Sequence, residues 1–156
     1  KLTEMITWKN IIHFSVNGNP TPDKRIEKTE DNWRKILTPD QFKISRLKGT
    51  ERPNTGDLCS IFEEGIYQCI CCDTDLFDST IKFDSSSGWP SFTQPIKENA
   101  VKYEKDDTNG MIRVEALCNT CDGHLGHIFP DGPEPSGLRY CVNSASIKLK
   151  KASTNE

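Results

Sequence analysis

Seven cysteines stand in a chain of 156 residues, and four of them form two Cys-x-x-Cys pairs, Cys69 with Cys72 and Cys118 with Cys121. Two intervening residues let a tight turn aim both sulfurs at one ion about 2.3 Å away, and two such pairs complete a tetrahedron. A closed set of four sulfurs leaves no open coordination position, so the spacing predicts one structural Zn²⁺. Two disulfides, or two unrelated thiol pairs, are the alternatives. Of the remaining thiols, Cys71 lies between two ligands and reads as a small buried hydrophobe. Cys141 has Arg139 two residues before it and Asn143 two after it, so all three project from one face of a strand. A guanidinium there favours thiolate over thiol. A reactive cysteine and a plain buried strand residue both fit that pattern. His124-x-x-His127 reads as a ligand pair or as an exposed glycine-rich turn. Trp89, between Gly88 and Pro90, reads as core filler or as the lip of a pocket.

These residues need elements to hold them. Residues 1–28 read as an N-terminal extension, with a turn-forming Val16–Pro22 stretch; Trp8, Ile11, Ile12 and Phe14 suit a wrap on the domain, a short strand or a partner-binding segment. Thr29 caps a helix whose apolar face is Trp33, Ile36 and Leu37. Thr38 with Pro39 and Gln41 forms a capping box for a second helix. Beyond residue 65, short apolar or alternating runs at 66–70, 80–83, 100–104, 111–117, 138–142 and 145–149 predict antiparallel strands. Asn109-Gly110 reads as a tight hairpin turn, followed by a strand with Ile112, Val114 and Ala116 inward and Arg113 and Glu115 outward.

Composition excludes several classes. With 20 basic against 23 acidic side chains the net charge is −3 before any metal binds, a poor match for nucleic acid. No apolar run of about 18 residues spans a membrane. Zinc-bound thiolates suit reducing surroundings, which predicts a cytoplasmic protein. The chain starts at Lys1, so an organellar or secreted form stays open.

Several motifs fall in order along residues 29–150: Gly65-Ile66-Tyr67, the first cysteine pair, Lys82-Phe83-Asp84-Ser85, Gly88-Trp89-Pro90-Ser91-Phe92, and the run from Cys118 through His124-Leu125-Gly126-His127-Ile128-Phe129 to Gly137-Leu138-Arg139-Tyr140-Cys141-Val142-Asn143. Together they resemble the type B methionine-R-sulfoxide reductases. The resemblance implies a mainly β fold of antiparallel sheets packed as a small barrel or sandwich, with two or three short N-terminal helices, a domain over 29–150 and a tail at 151–156. It implies Cys141 as the nucleophile that becomes a sulfenic acid, Arg139 keeping it ionised, and His127, Asn143 and His124 serving the sulfoxide oxygen. Trp89 and Phe129 would grip the substrate. Proteins and peptides containing methionine-R-sulfoxide are the implied substrates, and thioredoxin the reductant. Many members carry a second, resolving cysteine where this chain has Ser87. Serine cannot form a disulfide, which leaves Cys59 as the resolving candidate, Cys71 as a weaker one, and direct reduction by thioredoxin as a third route. From a different class, a zinc-ribbon-like binding module without catalysis would need neither Cys141 nor Trp89.

Overall fold

The computed structural model describes residues 5–152, apart from the side chain of Asn109; the first four residues of the expected extension and residues 153–156 of the expected tail lie outside the described residues. The fold is mainly β. Strands β1 (Gly65–Cys69), β2 (Asp75–Asp78) and β9 (Ile147–Lys151) form one antiparallel sheet in the order β2-β1-β9. Strands β3 (Lys82–Phe83), β4 (Ser91–Phe92), β5 (Val101–Asp106), β6 (Arg113–Cys118), β7 (His124–Phe129) and β8 (Arg139–Val142) form the other, in the order β3-β4-β8-β7-β6-β5. Every pairing is antiparallel.

Three short helices precede the sheets: α1 (Trp8–Asn17), α2 (Glu30–Ile36) and α3 (Pro39–Ser45). The caps read from sequence are present. Thr29 Oγ1 accepts from the Asn32 amide, Thr38 Oγ1 accepts from the Gln41 amide at 3.2 Å, and Gln41 Oε1 accepts from the Thr38 amide at 3.0 Å. Of the expected α2 face, Trp33 and Leu37 are buried while Ile36 is 56% exposed, because the helix ends at Ile36 and only part of its last turn meets the core. Helix α1 covers a segment for which a short strand was one sequence reading. Its Ile11 is fully buried, Phe14 stacks on Tyr103 of β5, and the side-chain amide of Gln94 bonds both backbone groups of Ile6.

The sheets meet across an aromatic layer. Phe77 of β2 stacks on Phe92 of β4 with centroids 4.3 Å apart, Tyr67 meets Phe92 edge-on, and Phe77 meets Tyr140. Tyr103 and Tyr140 hydroxyls share a 2.6 Å hydrogen bond, so each buried phenol oxygen has a polar partner. Side chains of a strand alternate between faces. Tyr140 and Val142 therefore point into this core, and Arg139 and Cys141 point to the opposite face.

Three features depart from the sequence reading. His124–Phe129 is no exposed turn but the inner strand β7, with Gly126 packed against β8 so tightly that a Cβ would overlap the Cys141 carbonyl oxygen. That glycine serves close approach rather than flexibility. The β5–β6 connection spans residues 107–112 and contains a 3-10 turn at Thr108–Gly110, wider than a two-residue hairpin, so Ile112 lies in the loop and is 76% exposed. Glu115 is only 4% exposed, because the face of β6 expected to meet solvent is covered by His124 and Lys48. Gly126→Ala is expected to destabilise the fold by about 1–3 kcal/mol, the range for a methyl forced into packed structure. Urea unfolding checks this, and an unchanged midpoint with unchanged slope would refute it.

Candidate active site and metal centre

The four paired cysteines converge. Cys69 and Cys121 sulfurs are 3.7 Å apart, Cys72 and Cys118 sulfurs 3.6 Å, and all four lie within 4.8 Å of one another. A tetrahedron with 2.3 Å arms has edges of about 3.8 Å, so the spacing fits a metal ion. Each pair is closed the same way. The residue after the second cysteine, Asp73 or Asp122, is left-handed, and its amide donates to the carbonyl of the first cysteine at 3.0 or 2.8 Å. Donors face the sulfurs: the Cys71 amide to Cys69, Thr74 Oγ1 beside Cys72, and Arg46 to Cys121 at 3.4 Å. Arg46 also lies over the Trp33 ring, which ties α2 and the end of α3 to the cluster. Cys71 is buried outside the set of four, its thiol donating to Ser45.

Cys141 lies on the other face of the six-stranded sheet from the aromatic core. It borders a cavity of about 250 Å³ lined by Thr50, Ser87, Trp89, Arg113, Gly126, His127, Phe129, Arg139 and Asn143. Pockets for drug-sized ligands start at about 300 Å³, so this volume suits one amino-acid side chain. A larger groove of about 950 Å³, beside α3 and β9, carries neither thiol nor imidazole.

Strand register builds the cavity. His127 of β7 is paired directly with Cys141 of β8, and Phe129 with Arg139. Asp131 accepts from Arg139 Nε at 2.8 Å and Nη2 at 3.2 Å, holding the guanidinium over the Phe129 ring. Burial pushes the Cys141 thiol pKa up, while the Arg139 charge and the Ser87 hydroxyl pull it down; the net direction is upward. Asn143 is fixed at both ends of its amide. Its Nδ2 donates to the Leu125 carbonyl at 3.0 Å, and its Oδ1 accepts from the Glu51 amide at 3.1 Å. The indole Nε1 of Trp89 donates to the Glu51 carbonyl at 3.1 Å, and the Glu51 carboxylate accepts from the Ser144 and Ala145 amides. One residue thus sets both the Trp89 wall and the Asn143 amide.

His124 stands behind His127, ring centroids 5.8 Å apart, and does not line the cavity. Residues three apart in a regular strand face opposite ways. The register shift where β7 meets Ala116/Leu117 brings both imidazoles to one face. His124 Nδ1–H donates to Glu115, itself held by Lys48. Cys59 lies outside the cavity lining, in the loop whose Leu58 and Ile61 carbonyls accept from Lys82. Thr50, Arg113 and Asp106 were not signalled by the sequence. Arg113 and Asp106 face each other across β5 and β6, and only the register places them beside His127.

The SelR domain matches residues 37–151. The chain belongs to the SelR family of type B methionine sulfoxide reductases. Among its relatives, the Peptide methionine sulfoxide reductase MsrB of Saccharophagus degradans is 58% identical over 125 residues, covering 80% of this chain and 93% of the relative. The protein of that name from Pseudomonas putida (strain GB-1) is 56% identical over 127 residues, covering 81% and 97%, and that from Pseudomonas syringae pv. syringae is 54% identical over 125 residues, covering 80% and 95%. In this SelR domain the sulfur cluster joins two sheets, so losing a metal ion there exposes mutually repelling thiolates. Prolonged chelation is expected to remove one ion per chain and to lower the melting temperature; Cys118→Ser should do the same without chelator. A melting curve indifferent to both would exclude a metal-dependent fold.

Proposed function

We infer that this chain reduces methionine-R-sulfoxide in proteins and peptides to methionine. The observation that carries the reading is Cys141, paired across the sheet with His127 on the border of a cavity sized for one side chain and walled by Trp89. The naming of the relatives supports it.

Each residue takes a role from its place. The S-methyl group of the substrate packs on Trp89, with Phe129 flanking. Arg139, held by Asp131, stabilises the Cys141 thiolate. The thiolate attacks the sulfoxide while its oxygen takes a proton from His127 and a hydrogen bond from the Asn143 amide. The oxygen ends on Cys141 as a sulfenic acid, and the substrate sulfur leaves reduced by the two electrons that Cys141 has lost. His124, bonded to Glu115, backs the His127 ring. Cys59 then attacks the sulfenic acid, releasing water and forming a disulfide with Cys141, which a thioredoxin dithiol reduces by exchange. Ser87 lines the cavity beside Cys141 and cannot take that part.

The four-sulfur site holds Zn²⁺, whose charge stabilises the clustered thiolates and fixes the fold. We assign the activity to residues 29–150, with 1–28 as an extension whose helix α1 packs on β5 and 151–156 as a tail. The zinc thiolates and the thiol chemistry point to a reducing compartment such as the cytoplasm. Among the described residues no helix is long and apolar enough to cross a membrane.

With a mixture of peptide methionine-S- and R-sulfoxides plus dithiol, only the R epimer should disappear; loss of both or of neither would contradict the reading. Cys141→Ser should form no methionine while keeping its metal. Cys59→Ser should release one methionine per chain in a single turnover and lose thioredoxin-dependent recycling, and full steady-state turnover in that variant would remove Cys59 from the cycle.

A further inference from the structure

One partly buried carboxylate remains without a role in the chemistry above. Asp106, the last residue of β5, accepts from His127 Nε2–H at 2.7 Å. A carboxylate only accepts, so the contact fixes the imidazole tautomer. The Nε2 proton is committed to Asp106, which leaves Nδ1 as the nitrogen that gains or gives up a proton.

Asp106 is itself held in place. Thr108 donates to its Oδ1 through the backbone amide at 3.0 Å and the hydroxyl at 2.7 Å. Its Oδ2 also lies 3.5 Å from Arg113 Nη2. Burial alone would raise the Asp106 pKa, but bonds from His127 and Thr108 hold it well below the usual carboxylate range, so it stays ionised.

We propose that Asp106 is the positioning residue that orients His127 and keeps a proton available on its Nδ1 for the sulfoxide oxygen. This rests on the role given to His127 under the proposed function.

The charges around His127 make such a partner necessary. Burial lowers the imidazole pKa, and Arg113 from β6 and His124 on its own strand push the same way, while Asp106 opposes them. Glu115 of β6 is taken by His124 and Lys48. Arg139 of β8 is taken by Asp131, and Cys141 beside it must be a thiolate to react. Asp106 is thus the anion bonded to the His127 ring. It also faces Arg113, whose buried Nε has no hydrogen-bond partner among the described residues.

The state that reacts carries a protonated His127 and an ionised Cys141, and burial moves their pKa values apart, down for the imidazole and up for the thiol. For such a pair the rate is flat between the two values, and the acid limb reports the imidazole. Lowering the imidazole value displaces that limb to lower pH and lowers the plateau tenfold for each pH unit of displacement. Below both limbs the rates converge.

The test is the single-turnover rate of methionine formation against pH, which involves neither Cys59 nor thioredoxin. Asp106→Asn should lower the plateau on the order of tenfold, with the acid limb displaced downward to match, because loss of a hydrogen-bonded opposite charge moves a pKa by about a unit or more. Asp106→Glu, which keeps the charge, should hold its limb closer to the wild-type position. In both variants, NMR titration of the His127 imidazole should follow the kinetic limb. A merely structural role would lower the plateau and leave the limb in place, and that outcome overturns the assignment. So does an Asp106→Glu limb displaced as far as that of Asp106→Asn. A wild-type profile with no acid limb, or an active Cys141→Ser, overturns the His127 and Cys141 reading as well. An unmoved limb in the Asn variant alone removes only Asp106.

Discussion

The convergence of four sulfurs at the ends of two strands is the constraint on which the molecule depends. Cys69 ends β1 in the three-stranded sheet, and Cys118 ends β6 in the six-stranded one, so the cluster joins two layers that otherwise meet through the aromatic core. Four thiolates this close would repel one another, and a cation among them would make their proximity favourable. A metal ion held by the four sulfurs would bind the sheets as well as the cysteines. Arg46, stacked on Trp33 and bonded to Cys121, extends the same fastening to the helices.

Once the sheets are fastened, alternation along the strands divides the labour. One face of the six-stranded sheet presents Tyr140 and Phe92 to the second sheet and Tyr103 to α1, and the other presents Arg139, Cys141 and His127 to the cavity. Core packing and cavity lining thus use alternate residues of the same strands, and a one-residue slip would exchange them. The aromatic core also anchors the strand that carries Cys141. Strand β8, held in it by Tyr140 and Val142, has little freedom to move Cys141 away from His127.

Around the cavity, positioning is done largely by residues remote in sequence. Glu51 spans Trp89, Asn143 and the turn after Asn143 through its backbone and carboxylate together. Carboxylates serve both imidazoles and the arginine: Glu115 for His124, Asp106 for His127 and Asp131 for Arg139. Because each acceptor is ionised, these bonds fix orientation more firmly than neutral ones would.

The sequence by itself determined the four-sulfur site, because two Cys-x-x-Cys turns encode their local geometry within a few residues. The caps at Thr29 and Thr38 were legible for the same reason, and the two-residue spacing of Arg139, Cys141 and Asn143 already placed them on one strand face. The motifs from Gly65 to Asn143 carried the family. What depended on contacts between distant segments could not be read that way. The strand nature of His124–Phe129 was hidden because two histidines three apart need a bulge to share a face, and that bulge is set by the partner strand β6. Helix α1 was hidden because its order comes from packing on β5 rather than from a strong local pattern. Asp106, Arg113, Glu51 and Thr50 carried no signal, since an ordinary charged or polar residue acquires meaning only from what the register sets beside it. Local covalent spacing fixed the four-sulfur cluster and the strand face of Cys141; tertiary structure alone decided which carboxylates, and which backbone groups, hold the rest of the cavity in place.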